Sequence, residues 1–162
     1  MRRATGGRLI LAALFLSSAA QAEPVLQVTL AEGDVLGALP LPEGREACLH
    51  WAHSVTGGAV ADCFENRDGQ LVLVRSYLHD FAAGLGETAG RGHLVSAKGG
   101  GYWIEDIDAP MTANALDLRI GALAVDHRLS AGGETLALSR LAPSQRAQLS
   151  LIFPHTDGPG EP

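Results

Sequence analysis

Two of the chain's six histidines, His50 and His53, lie between its two cysteines in the run Cys48-Leu-His-Trp-Ala-His-Ser-Val-Thr-Gly-Gly-Ala-Val-Ala-Asp-Cys63. On a helix, histidines three residues apart would share a face and could hold one zinc ion. On a strand, successive side chains point to opposite faces, so the same two imidazoles would diverge. His53 beside Ser54 offers a base next to a nucleophile. Adjacent strand residues do not make that hydrogen bond, however, and no Gly-x-Ser-x-Gly elbow occurs. The cysteines are too far apart in sequence for a C-x-x-C or other short metal-ligand loop, which leaves a disulfide as their natural use. Farther along, Asp62, Arg75 and His79 complete the set of polar side chains dense enough to form a site.

The elements that carry these residues read as strands. Apolar runs are short, rich in Val, Leu and Ile, and separated by Gly, Pro, Asp-Gly or Asn, the punctuation of an all-β domain. Strands are predicted over 25–30, 47–53, 59–66, 71–81, 93–97, 102–107, 115–120, 122–129, 135–141 and 148–153, with one helical turn starting at Pro143. About eight to ten short antiparallel strands make a single β-sandwich or a partly open β-barrel.

Asp68-Gly69 suits a type I′ hairpin turn, and that turn pairs Phe64 with Leu73, Asp62 with Arg75 and Val60 with Tyr77. Direct opposition of Cys48 and Cys63 fixes the preceding hairpin, placing Trp51 opposite Val60, His53 opposite Gly58, and the loop at 54–57. One face then carries Leu49/Asp62/Arg75, Trp51/Val60/Tyr77 and His53/Gly58/His79. The other carries Cys48/Cys63/Val74 and His50/Ala61/Ser76. Asp62–Arg75 reads as a structural ion pair beside an aromatic row. Gly58 leaves a notch between His53 and His79 that could take a metal or small ligand, or simply a packed water or loop.

The ends of the chain suggest export. Arg2, Arg3 and Arg8 precede a short apolar core, and Ala20-Gln21-Ala22 fits a cleavage site, so residues 1–22 read as a secretory signal peptide. Cleavage after Ala22 would leave a periplasmic protein with no stable membrane insertion. It also removes three arginines and no acid, leaving nine of the 12 basic residues against all 18 acidic ones. That balance argues against nucleic acid or an anionic membrane surface as partner. Residues 23–155 make one β domain, and the Gly/Pro-rich 156–162 reads as a disordered tail. No cofactor motif is present, and the apolar loop Phe81-Ala-Ala-Gly-Leu-Gly86 lacks the pattern of a phosphate loop. That loop suits partner docking or a plain core turn.

Taken in order, Trp51-Ala-His-Ser-Val55, Val60-Ala-Asp62, Phe64, the long strand into Ala83-Gly84-Leu85-Gly86, Tyr102-Trp103 and Asp126-His127-Arg-Leu129 resemble a known family. They are similar to the small exported bacterial proteins grouped as domain of unknown function 1850, over about residues 45–141. Two departures stand out: Asp62 replaces the family's glutamate, shortening its reach, and the loop lacks its proline. The resemblance carries over His53, Ser54, Asp62, Gly84, Gly86 and His127. Members are commonly encoded beside tripartite ATP-independent periplasmic (TRAP) transporters of the TAXI type. The resemblance therefore implies a non-enzymatic accessory or binding protein whose partner is a transporter component or a small solute. Arg75 and His79 join the expected contact residues. Two alternatives stay open: a metal-binding protein or metal-assisted hydrolase using His53 and His79, and a small β-barrel carrier of an apolar ligand.

Overall fold

The computed structural model describes residues 22–80 and 92–154. The leader expected over 1–22, apart from Ala22, the loop glycines Gly84 and Gly86, and the tail at 156–162 lie outside the described residues.

The strands, in chain order, are β1 (Val25–Leu30), β2 (Val35–Pro40), β3 (Glu46–Ala52), β4 (Ala59–Arg67), β5 (Gln70–Leu78), β6 (His93–Ser96), β7 (Tyr102–Glu105), β8 (Ala109–Pro110), β9 (Ala115–Arg119), β10 (Arg128–Ala131), β11 (Glu134–Leu136) and β12 (Arg146–Ile152). One four-residue helix, α1 (Leu138–Leu141), precedes β12. The smaller sheet runs β2-β1-β12-β9. The larger runs β11-β10-β3-β4-β5-β7-β6, with β8 beside the first half of β5. All pairings between these strands are antiparallel.

The two sheets pack face to face as an all-β sandwich. Strand alternation explains the core: β12 reads Arg-Ala-Gln-Leu-Ser-Leu-Ile and buries Ala147, Leu149 and Leu151 while its other residues face outward. These meet Leu26 and Val28 of β1 and Ala47, Leu49, Phe64, Leu71 and Leu129 of the larger sheet in one apolar cluster. The sheets do not close into a barrel, and packed side chains fill the space between them, so a hollow-barrel carrier is not the arrangement formed.

Asp68 and Gly69 both adopt positive φ, 51° and 78°, and close the β4–β5 hairpin as the Asp-Gly signal predicts. Elsewhere the elements differ from expectation. The predicted strand over 122–129 is mostly a turn, because the amides of Val125 and Asp126 both return to the Ala122 carbonyl; pairing begins only at Arg128. The predicted strand over 135–141 divides into β11 and α1. The helical turn sits before Pro143 rather than after it, and proline follows the helix end at Ala142, where it blocks continuation. β2 was not predicted; Gly37 and Pro40 mask it in the sequence. Pro40 is tolerated because β2 is an edge strand, and Gly37 is needed because a Cβ there would stand 2.9 Å from Leu136.

Candidate functional site

The β3–β4 hairpin has the expected register throughout. Cys48 and Cys63 are directly opposed with their Cα atoms 4.0 Å apart and form a disulfide. The His53 amide donates to the Gly58 carbonyl at 2.8 Å, and the Gly57 amide donates to the His53 carbonyl at 2.8 Å. Within the tip, His53 Nδ1 faces the Val55 and Thr56 amides at 3.4 and 3.3 Å, so the ring caps its own turn. Ser54 is exposed, and Val55 is 85% exposed.

The β4–β5 hairpin follows its predicted register only from the turn to Phe64–Leu73. A β-bulge at Val74 then shifts the pairing by one, so Cys63 faces Arg75, Asp62 faces Ser76 and Val60 faces Leu78. One extra residue sends every later β5 side chain to the opposite face. The expected Asp62–Arg75 pair therefore does not form. Asp62 stays on the inner face and accepts a hydrogen bond from the Ser76 hydroxyl at 2.5 Å. Burial pushes its carboxyl above the usual aspartate range, an effect the Ser76 hydrogen bond partly offsets. Arg75 turns outward, donates to both Glu46 oxygens at 2.8 and 2.6 Å, and stacks 4.4 Å over the Trp103 ring. Its guanidinium pKa is raised chiefly by those Glu46 hydrogen bonds.

The same shift separates His53 from His79. His53 lies on the inner-face side with Trp51, whereas His79 follows Leu78 to the outer face and brings Nδ1 to 3.4 Å from the Tyr77 hydroxyl. The notch at Gly58 is occupied instead by Asp80, whose carboxylate stands 2.6 Å from where a Cβ would be. The proposed histidine pair is thus not assembled. Among the described residues, the cluster spaced to hold a metal is Glu46, Cys48 and Cys63, and both of its sulfurs are already bonded to each other.

His127 organises the 121–127 loop. Its Nδ1 accepts from the Gly121 amide at 2.7 Å, and its own amide donates to the buried Ser139 hydroxyl, which donates on to the Gly121 carbonyl at 2.9 Å. The ring also packs against Trp51, with centroids 5.7 Å apart. Burial lowers its pKa, which favours the neutral ring that this acceptor role requires.

The arrangement best suited to recognition lies on the outer face of the larger sheet. One cross-strand row runs through Arg128, His50, Ala61, Tyr77, Trp103 and Val95, spanning six strands. Ala61 has only a methyl group to fill its place between larger neighbours, and a trough of about 580 Å³ results. Ala59 extends the floor, Tyr77 and Trp103 form an aromatic wall with ring centroids 5.3 Å apart, and Lys98 and Glu105 stand at the rim. His50 Nε2 is 2.9 Å from the Ser130 hydroxyl; burial, then the Arg128 charge, lowers its pKa. A second depression of about 640 Å³ over β1, β9 and β12 is bordered by the exposed side chains of Asp117, Arg119, Arg146 and Gln148 and has no aromatic wall.

Sequence reasoning placed His50 and Ala61 together on the correct face. It missed Tyr77, Trp103, Lys98 and Arg128 as site residues. The usable signal was the small residue at Ala61 inside an otherwise bulky row; the bulge concealed which β5 residue completes it.

Fold and site together define a two-sheet β domain with a disulfide-clamped hairpin and a solvent-facing aromatic trough. The chain belongs to the family described as domain of unknown function 1850, whose sequence model matches residues 48–138. That span contains the hairpin from Cys48 onward and every residue of the trough. No curated protein and no solved structure matches the chain.

Proposed function

We propose that this protein is a periplasmic accessory protein that acts by binding, in association with a TAXI-type TRAP transporter. The observation that carries the binding role is the trough: a row of six residues hollowed at Ala61, with Arg128 and His50 on one side, aromatic rings on the other, and Lys98 and Glu105 at the rim. Concave, partly apolar surfaces with a few placed polar groups are the usual form of small-ligand sites. The transporter association is supported by the family resemblance. The exposed 54–57 tip, carrying Ser54 and Val55, offers a separate edge for the transporter component. Among the described residues no helix is long and apolar enough to cross a membrane.

The full-length chain, tagged at its C-terminus and expressed with its neighbouring genes, should co-purify with a permease or solute-binding subunit from native membranes. N-terminal sequencing of the exported protein should begin at Glu23. Failure to recover either subunit, both in detergent and after cross-linking in intact cells, would overturn the transporter assignment.

A further inference from the structure

We infer that the trough on the larger sheet binds a small organic carboxylate with an apolar body, its body seated against Trp103 and its carboxylate met by Lys98. This deepens the binding role proposed above and rests on it. The floor is methyl groups, Ala59 and Ala61, and the wall is Trp103 with Tyr77, so the middle of a ligand meets a largely apolar and aromatic surface with His50 beside it. Lys98 and Arg128 are the two cations lining the trough. Lys98 is the only lysine in the chain and joins none of the ion pairs among the described residues. It is carried over the trough by a turn in which Gly99, Gly100 and Gly101 all take positive φ, closed by the Ala97 amide donating to the Gly101 carbonyl at 3.0 Å. Arg128 shares its charge with Asp126 at 3.2 Å, outside the lining. The one acid of the lining, Glu105, is itself drawn toward His93 and Arg75.

A positively biased rim on an acidic protein selects for negative charge. Lys98 at the Trp103 end is a single cation, with Arg128 at the far end already shared with Asp126, and one cation matches a carboxylate better than a phosphoryl group, which is normally met by several convergent donors. The aromatic wall requires the rest of the ligand to be apolar.

The test is calorimetric titration of the full mature chain, disulfide intact, with octanoate, phenylacetate and indole-3-acetate, each against its uncharged amide, and with phenyl phosphate. At least one carboxylate should bind one to one, and its amide should bind about tenfold more weakly or worse. Lys98→Ala should weaken binding by about fivefold, with Lys98→Arg restoring it, whereas Arg128→Ala at the far end should change it by less than about twofold. Ala61→Leu should remove binding by filling the trough. Because Ala61 is buried, Ala59→Leu at the exposed end of the floor serves as the second filling variant. The inference fails if none of the three carboxylates binds at about 10 mM, if amides or phenyl phosphate bind as well, or if binding survives both fillings. Recovery of a transporter complex without carboxylate binding would sink this inference alone. Carboxylate binding without a complex would leave it standing and remove the transporter association.

Discussion

Asp62 sits on the inner face of the larger sheet between Leu49 and Ser76, where burial raises its pKa and the Ser76 hydroxyl only partly compensates. A carboxyl whose folded pKa lies above its unfolded value supports the fold while protonated, below the unfolded pKa, and loses that support as pH rises through the folded value. Asp62→Asn keeps an acceptor for Ser76 without the charge. It should raise the melting temperature around pH 7 and match the wild type near pH 4, as followed by circular dichroism across that range. His127 works in the opposite direction. Its lowered pKa means that its contribution is fully present above 6.5 and declines as pH falls toward the folded value, because the unfolded chain takes up its proton first. His127→Asn can place an oxygen near the position of Nδ1 and accept from Gly121, so it should flatten melting temperature against pH below 6.5. Part of the slope should remain, owing to His50, whose pKa is lowered as well. His127→Leu leaves the Gly121 amide unsatisfied and should cost about 1–3 kcal/mol in urea denaturation. His127 was legible as a position by family resemblance alone; its role as a loop acceptor required knowing that Gly121 and Ser139 meet it.

The β3–β4 hairpin was legible to the residue, because direct opposition of Cys48 and Cys63 leaves one register. The next hairpin was legible only for its first four pairs. Leu71-Val-Leu-Val74 is apolar at both parities, so nothing in the sequence says that Val74 is the inserted residue or that Ser76 and Tyr77 exchange faces beyond it. The consequence for the site was large, since the exchange carries Tyr77 into the trough and Arg75 to Glu46. Deleting Val74 should leave the flanking pairs Phe64–Leu73 and Cys63–Arg75 in place and restore regular alternation. That variant should fold with Tyr77 still facing Trp103, losing only the buried valine's contribution of about 1–3 kcal/mol. Deleting Tyr77 instead would send Leu78 to the outer face and should abolish the folded amide spectrum. Stability by urea denaturation and proton–nitrogen correlation spectra separate the two. The disulfide closes a loop of sequence separation 15, and replacing both cysteines by alanine should lower unfolding free energy by about 3 kcal/mol.

At the scale of the whole molecule, the family-matched span 48–138 contains β9 and all of the larger sheet except Glu46 and Ala47 of β3, but excludes β1, β2 and β12. Those three strands supply Leu26, Val28, Leu39, Ala147, Leu149 and Leu151 to the common core. A fragment of residues 48–138 should therefore show neither a cooperative melt nor protease resistance, while 23–154 should show both. The all-β class could be read from turn spacing and apolar runs. The division into two sheets could not, because it depends on which strands become neighbours across the chain. The smaller sheet shows why this matters for how the protein is made: β12 lies between β1 and β9, so the first strand to leave the ribosome gains its central neighbour only when the last one has appeared. Until then, β1 has an unpaired edge and its apolar face lacks the residues that cover it. A polypeptide stalled before Arg146 should therefore stay protease-sensitive, its β1 edge open to pairing with another copy.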